Sequence, residues 1–130
     1  MSGTLVLDCE GLSKLVNRTP EVTEWLAAAE AEDIRVVTSS VTLVEARDPK
    51  IQQARFDYAL SRVNIVAPSE VIARHASKLL AQVGLHGHKY ALDAIVAATA
   101  LASPSPVTVL TCDPEDLLVL CGSTTHVIKI

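Results

Sequence analysis

The sequence predicts a three-layer α/β/α domain, with a mostly parallel central sheet of about five strands and helices on both faces. Three observations carry this expectation. Short apolar runs recur along the chain, helical patterns fill the gaps between them, and the first and fourth runs lack polar alternation. Uninterrupted apolar strands are those covered on both faces, and strands alternating with helices pair in parallel. The 130 residues suit one domain over 1–130.

The predicted strands are Thr4-Leu5-Val6-Leu7, Ile34-Arg35-Val36-Val37-Thr38, Val63-Asn64-Ile65-Val66 and Val107-Thr108-Val109-Leu110-Thr111, with a weaker fifth over His126-Val127-Ile128-Lys129-Ile130. Between the first two, Thr19 can cap a helix with Pro20 at its first position and Val22, Leu26 and Ala29 on one stripe. A short helix over Ser39-Ser40-Val41-Thr42-Leu43-Val44-Glu45 follows the second strand, and Ile51, Ala54, Tyr58 and Ala59 mark another. Ser69 can cap a longer one stopped by Gly84, with Ile72, Ala76, Leu79, Leu80 and Val83 as its inner face. From Tyr90 to Ala102 only Asp93 is charged, which predicts a buried central helix.

Composition narrows the function. Hydrophobic residues make up 49% and charged residues 20%, which excludes disorder. Aromatics are 3%, so no base-stacking platform is expected. A net charge of −4 excludes nucleic-acid binding by bulk charge alone. Cys9, Cys112 and Cys121 are odd in number and in no metal-ligand spacing, so they are expected to be buried thiols in a reducing cytoplasm. No targeting segment is visible. The charge-free stretch Ala94–Cys112 is broken by Ser103-Pro104-Ser105-Pro106, so a soluble protein with no membrane span is expected.

Ligands of open parallel sheets bind beyond the carboxyl ends of the strands. Four acids fall there. Asp8 follows the first strand, Glu45 lies just after the second, Asp93 opens the apolar helix and Asp113 follows the fourth strand. Each can be read as a helix cap. Asp93 resists that reading, because a lone buried carboxylate is costly and Lys89 is its only local cation. Four converging acids repel one another unless a divalent cation lies between them. All-oxygen ligation suits Mg²⁺ or Mn²⁺ rather than zinc, and such ions commonly serve phosphate chemistry.

The ordered set Leu5-Val6-Leu7-Asp8, Val41-Thr42-Leu43-Val44-Glu45, Leu92-Asp93-Ala94-Ile95-Val96-Ala97-Ala98-Thr99-Ala100 and Leu110-Thr111-Cys112-Asp113-Pro114-Glu115-Asp116-Leu117 resembles the PIN-domain ribonucleases, particularly the VapC-like toxins of toxin–antitoxin pairs. The resemblance spans essentially the whole chain. It implies Mg²⁺- or Mn²⁺-dependent endonuclease cleavage of RNA, with the metal-binding acids at Asp8, Glu45, Asp93 and Asp113. Glu45 could ligate or orient the attacking water. Asp116 matches a further acid at the edge of the same site. An antitoxin partner and a homodimer are implied as well.

Two features depart from the family pattern. Glu10 stands where a small hydroxyl residue is common, and it is expected to point to solvent. His86 and His88 occupy a loop where the family carries a basic approach, and they are read as rim residues rather than ligands. Setting aside the five acids of the site leaves ten against eleven bases, a neutral remainder. Lys14, Arg18, Arg47 and Lys89 are the first candidates for phosphate contacts, with Lys50 and Arg55 also near site-bearing segments. The sequence allows two rival readings: a non-catalytic PIN-like module and a phosphoacceptor receiver domain. The second needs paired acids after the first strand, and here Cys9 follows Asp8.

Overall fold

The computed structural model describes residues 3–130. Its sheet has five strands in the order β3-β2-β1-β4-β5, and every neighbouring pair is parallel. The strands are β1 (Thr4–Leu7), β2 (Arg35–Ser39), β3 (Asn64–Val66), β4 (Val107–Thr111) and β5 (His126–Lys129). The expected three-layer α/β/α architecture is thus observed, with the sheet wholly rather than mostly parallel. β1 and β4 keep their predicted bounds, and each is flanked by strands on both sides.

Side chains of β1 alternate between two cores, as the period of two requires. Leu5 and Leu7 pack with Leu12, Leu15, Val22, Leu26 and Phe56 on one face. Val6 and Val109 pack with Ile72, Ala76, Leu80, Ala97 and Leu117 on the other. The first face is covered by α1 (Cys9–Val16), α2 (Pro20–Ala31) and α4 (Gln53–Ser61), the second by α5 (Glu70–Val83), α6 (Gly87–Leu101) and α7 (Pro114–Cys121). A short helix, α3 (Ser40–Ala46), leaves the carboxyl end of β2.

Local chemistry sets several helix ends. The Ser69 Oγ accepts the Ile72 N–H at 3.3 Å, and Gly84 closes α5 at φ +71°, a left-handed conformation that glycine adopts without strain. Three expectations need correction. Thr19 sits at the N-cap of α2, but its side chain makes no capping bond; Pro20 alone suits the start, because it has no N–H to satisfy. Val83 is exposed rather than inside; it is the last residue of α5, next to the Gly84 cap. Only the later part of α6 is buried: Ala94 and Val96 to Ala100 are enclosed, whereas Leu92 is exposed. α1 and α7 were not anticipated as helices.

No described helix is long and apolar enough to cross a membrane.

Candidate active site

The strand order reverses between β1 and β4, and a parallel sheet opens its binding crevice at such a point. Asp8 and Asp113 follow these two strands. Asp8 is the N-cap of α1, where its Oδ1 accepts the Gly11 N–H at 2.8 Å, and it is 4% exposed. Asp8 therefore caps α1 and lines the cleft at the same time. Asp113 stands at the N-cap of α7 but spends no side-chain bond on the helix, and its carboxylate is exposed.

Gly11 lets the first turn of α1 come close. A Cβ there would lie 3.1 Å from the Leu110 carbonyl oxygen, 3.3 Å from the Leu7 Cβ and 3.5 Å from the Asp8 Oδ1. Gly11→Ala would gain about 1 kcal/mol of helix propensity but incur overpacking of roughly 1–3 kcal/mol against backbone. We expect a net loss, read as a lower urea midpoint with unchanged slope; an unchanged or higher midpoint would refute the close-packing argument.

Glu45 lies on the last turn of α3, exposed beside the cleft. The helix that carries it is tied to β1 through buried hydroxyls. Thr38 and Thr42 stand 2.6 Å apart, with the Leu7 carbonyl 2.8 Å from Thr38 and the Ser39 carbonyl 2.8 Å from Thr42. Two protons are thus shared among three acceptors within the core.

Asp93 reaches the same cleft from the first half of α6 and is half-buried. Burial, followed by the charges of Asp116, Asp8, Glu45 and Asp113, pushes its carboxyl up to about 6. Burial likewise raises Asp8, against the opposing effect of bonds from Thr111 and Gly11. Lys89 lines the cleft without forming an ion pair with Asp93, and its ammonium lies 5.2 Å over the Tyr90 ring.

The structure thus brings Asp8, Glu45, Asp93 and Asp113 around one cavity of about 350 Å³. Asp116 is half-buried in the first turn of α7, near enough for its charge to raise Asp93, and is not among the residues lining the cavity. Glu10, expected to point to solvent, lines the cleft instead, because the first turn of α1 folds back over the strand ends. Cys121 is buried as expected, but Cys9 and Cys112 are only partly so. Cys9 faces the cleft, where burial and then neighbouring carboxylates push its thiol up to about 12; it is no nucleophile at neutral pH.

The basic candidates separate. Lys89 is in the cleft, and Lys14 borders an adjoining hollow with Cys9, Glu10 and Glu45. Arg18 and Arg55 line a larger hollow of about 610 Å³ among α1, α2 and α4 instead. Arg47 is committed to its own loop, bonding the Asp48 and Ile51 carbonyls and lying 5.4 Å over the Phe56 ring. Lys50 is exposed. His88 sits in the first turn of α6, and His86 lines a groove against α5; neither lines the acid cleft.

Among the described residues, no three His, Cys, Asp or Glu side chains converge as tightly as the ligands of one bound ion. The donor set nevertheless fits a hard cation. All four groups are carboxylates, they face one cavity, and the neighbouring negative charges raise the Asp93 pKa.

The PIN domain family model matches residues 5–117 of the chain. The chain belongs to the PIN-domain family. The receiver-domain alternative is thereby set aside. No curated protein sequence matches the chain. Among solved structures, this PIN domain is similar to a chain of VapBC2 from Rickettsia felis bound to a DNA fragment from its promoter. The TM-score is 0.73 at 20% identity, over 98% of each chain. It is also similar to a chain of a toxin–antitoxin complex from Klebsiella pneumoniae, with a TM-score of 0.69 at 24% identity, over 97% of this chain and 99% of that one. VapBC-1 from nontypeable Haemophilus influenzae gives a TM-score of 0.59 at 17% identity, over 99% and 98%. At these identities the likeness is one of fold.

Proposed function

We propose that this PIN domain is a Mg²⁺- or Mn²⁺-dependent endoribonuclease, the toxin of a toxin–antitoxin pair. The observation that carries the reading is the meeting of Asp8, Glu45, Asp93 and Asp113 in one cavity at the β1/β4 reversal. The toxin–antitoxin complexes among its structural neighbours support the assignment to that class.

Asp8, Asp93 and Asp113 would hold the ion, with Glu45 ligating or orienting the attacking water. When bound, the ion lowers the pKa of a coordinated water and neutralises charge developing on the phosphodiester. The chain's own residues divide the remaining work. Asp8 is held by the Gly11 amide and so offers a fixed carboxylate, whereas the exposed Glu45 can follow the substrate. Lys89 places a positive charge where a phosphate would enter an otherwise acidic cleft. Asp116 adds negative potential at Asp93 without lining the cavity. An antitoxin partner and a homodimer complete the proposal, and exposed Val71, Leu118 and Val119 are apolar surface available for protein contacts.

The test is cleavage of a total RNA pool by purified protein with Mg²⁺ or Mn²⁺, with EDTA as control. Metal-dependent internal cleavage is expected. Intact RNA in every metal would leave a non-catalytic binding module as the better reading, and cleavage that survives EDTA would remove the metal from the mechanism.

A further inference from the structure

Arg55, Ala59 and Arg62 recur at the spacing of one face of α4, and that face borders the hollow of about 610 Å³ among α1, α2 and α4. Arg18 joins them from the chain just past α1, so three of the six arginines line one hollow in a protein of net charge −4. Each is held differently. The Arg55 Nε donates to the Val16 carbonyl at 2.9 Å, and among the described residues its two terminal nitrogens form no hydrogen bond. Arg62 spends one nitrogen on Glu30 at 3.1 Å. Arg18 adopts φ +57°, a conformation that glycine would hold without strain and arginine does not. Among the described residues it forms no ion pair. Glu24 shares the wall, so the positive excess rests on Arg18 and Arg55. Guanidinium forks match phosphate oxygens two bonds at a time.

Helix α1 links this hollow to the acid cleft. Cys9 and Glu10 line the cleft, Lys14 borders the adjoining hollow, and Val16 and Arg18 border the large one. From Cys9 to Val16 the helix rises about 10 Å. The cleft itself sets five carboxylates, Glu10 included, against the single ammonium of Lys89. A divalent ion offsets only part of that charge, so affinity for a polyanion has to come from outside the cleft. We propose that the hollow is a second RNA site, where Arg18 and Arg55 hold backbone phosphates of a strand whose scissile bond lies in the cleft. The proposal rests on reading the protein as a ribonuclease. A phosphodiester chain carries an anion at every nucleotide and already passes through the cleft on that reading; an acidic protein segment has no such tie to it.

The test is binding of a fluorescent single-stranded oligoribonucleotide across a KCl series in EDTA, where metal-dependent cleavage is off. Wild type is compared with Arg18→Gly/Arg55→Gln and with Arg74→Gln/Lys78→Gln, which loses the same charge from α5 on the opposite face of the sheet. Each phosphate contact on a single strand adds about 0.7 to the slope of log affinity against log salt. The hollow variant should bind about ten-fold or more weakly at low salt and flatten the slope by about 1.4, while the α5 variant stays close to wild type. Should the double variant fail to fold, Arg18→Gly against Arg74→Gln carries the comparison, because glycine suits φ +57°; the slope should then fall by about 0.7. Equal weakening in the hollow and α5 variants would reduce the effect to net charge and overturn the proposal, as would wild-type affinity and slope in the hollow variant. An oligoglutamate peptide that binds wild type in preference to RNA, and is lost with the hollow arginines, would assign the hollow to an acidic protein segment instead. Cleavage with Mn²⁺ is read in parallel. A wild type that cuts RNA but does not bind it in EDTA overturns the second site alone; one that neither binds nor cuts takes the ribonuclease reading with it.

Discussion

Asp93→Asn should abolish metal-dependent RNA cleavage, by about a hundred-fold or more, while the protein folds as before. The amide keeps the side chain's shape but is a weaker ligand for a hard cation. The same substitution should stabilise the metal-free protein at neutral pH. Burial and four neighbouring acids raise the Asp93 carboxyl to about 6, above its ordinary 3.8. The folded protein thus binds this proton more tightly than the unfolded chain does. The cost of holding the charge is complete above pH 6, shrinks as pH falls from 6 towards 4, and is absent below. In EDTA, Asp93→Asn should therefore unfold at higher urea than wild type at pH 7.5, and the two should converge near pH 4. Equal cleavage by the two proteins would remove Asp93 from the site. A stability gap that widens on acidification would refute its electrostatic origin.

Divalent ions should raise the melting temperature of wild type, and Asp8→Asn should blunt the rise. A ligand that binds only the folded state at a hundred times its dissociation constant adds about 2.7 kcal/mol, roughly 10 °C for a domain of this size. Asparagine caps helices as well as aspartate does, so the bond from the Gly11 amide should survive the change. What is lost is a charge whose burial raises the carboxyl of Asp8. In EDTA at pH 7, Asp8→Asn should be as stable as wild type or more so, while cutting no RNA. The measurement is a thermal melt of both proteins across a Mn²⁺ series at fixed ionic strength. If wild type gains nothing from metal and Asp8→Asn is clearly weaker in EDTA, Asp8 is a cap and no more.

The sequence made the strands of the sheet centre legible, because β1 and β4 are covered on both faces and leave uninterrupted apolar runs. Strand order was not legible, since parallel pairing joins distant segments and leaves no local pattern. α1 escaped notice because it spans eight residues and carries Gly11 in its first turn, a residue placed for close approach rather than helix propensity. α7 escaped because its first residues, Pro114-Glu115-Asp116, read as part of an acidic motif. The four acids could be found from their places after strands and in an apolar helix. Glu10 could not, because an acid early in an unrecognised helix reads as solvated. Its place on the cleft wall appears only with the Cys9–Val16 helix at the carboxyl end of β1.

The central place of β1 also sets a timetable for synthesis. Its strand is made first, yet its partner on one side is Val107–Thr111, so that edge stays open until more than a hundred residues have been translated. Asp8 and Asp113 meet only across this late pairing. A nascent chain can bury its Val22 and Leu26 helix and pair β1 with β2 well before it can gather the four acids. The growing polypeptide is thus a partial sheet without a complete cleft, and the cleft is assembled with the late strand β4 rather than with the first elements to form.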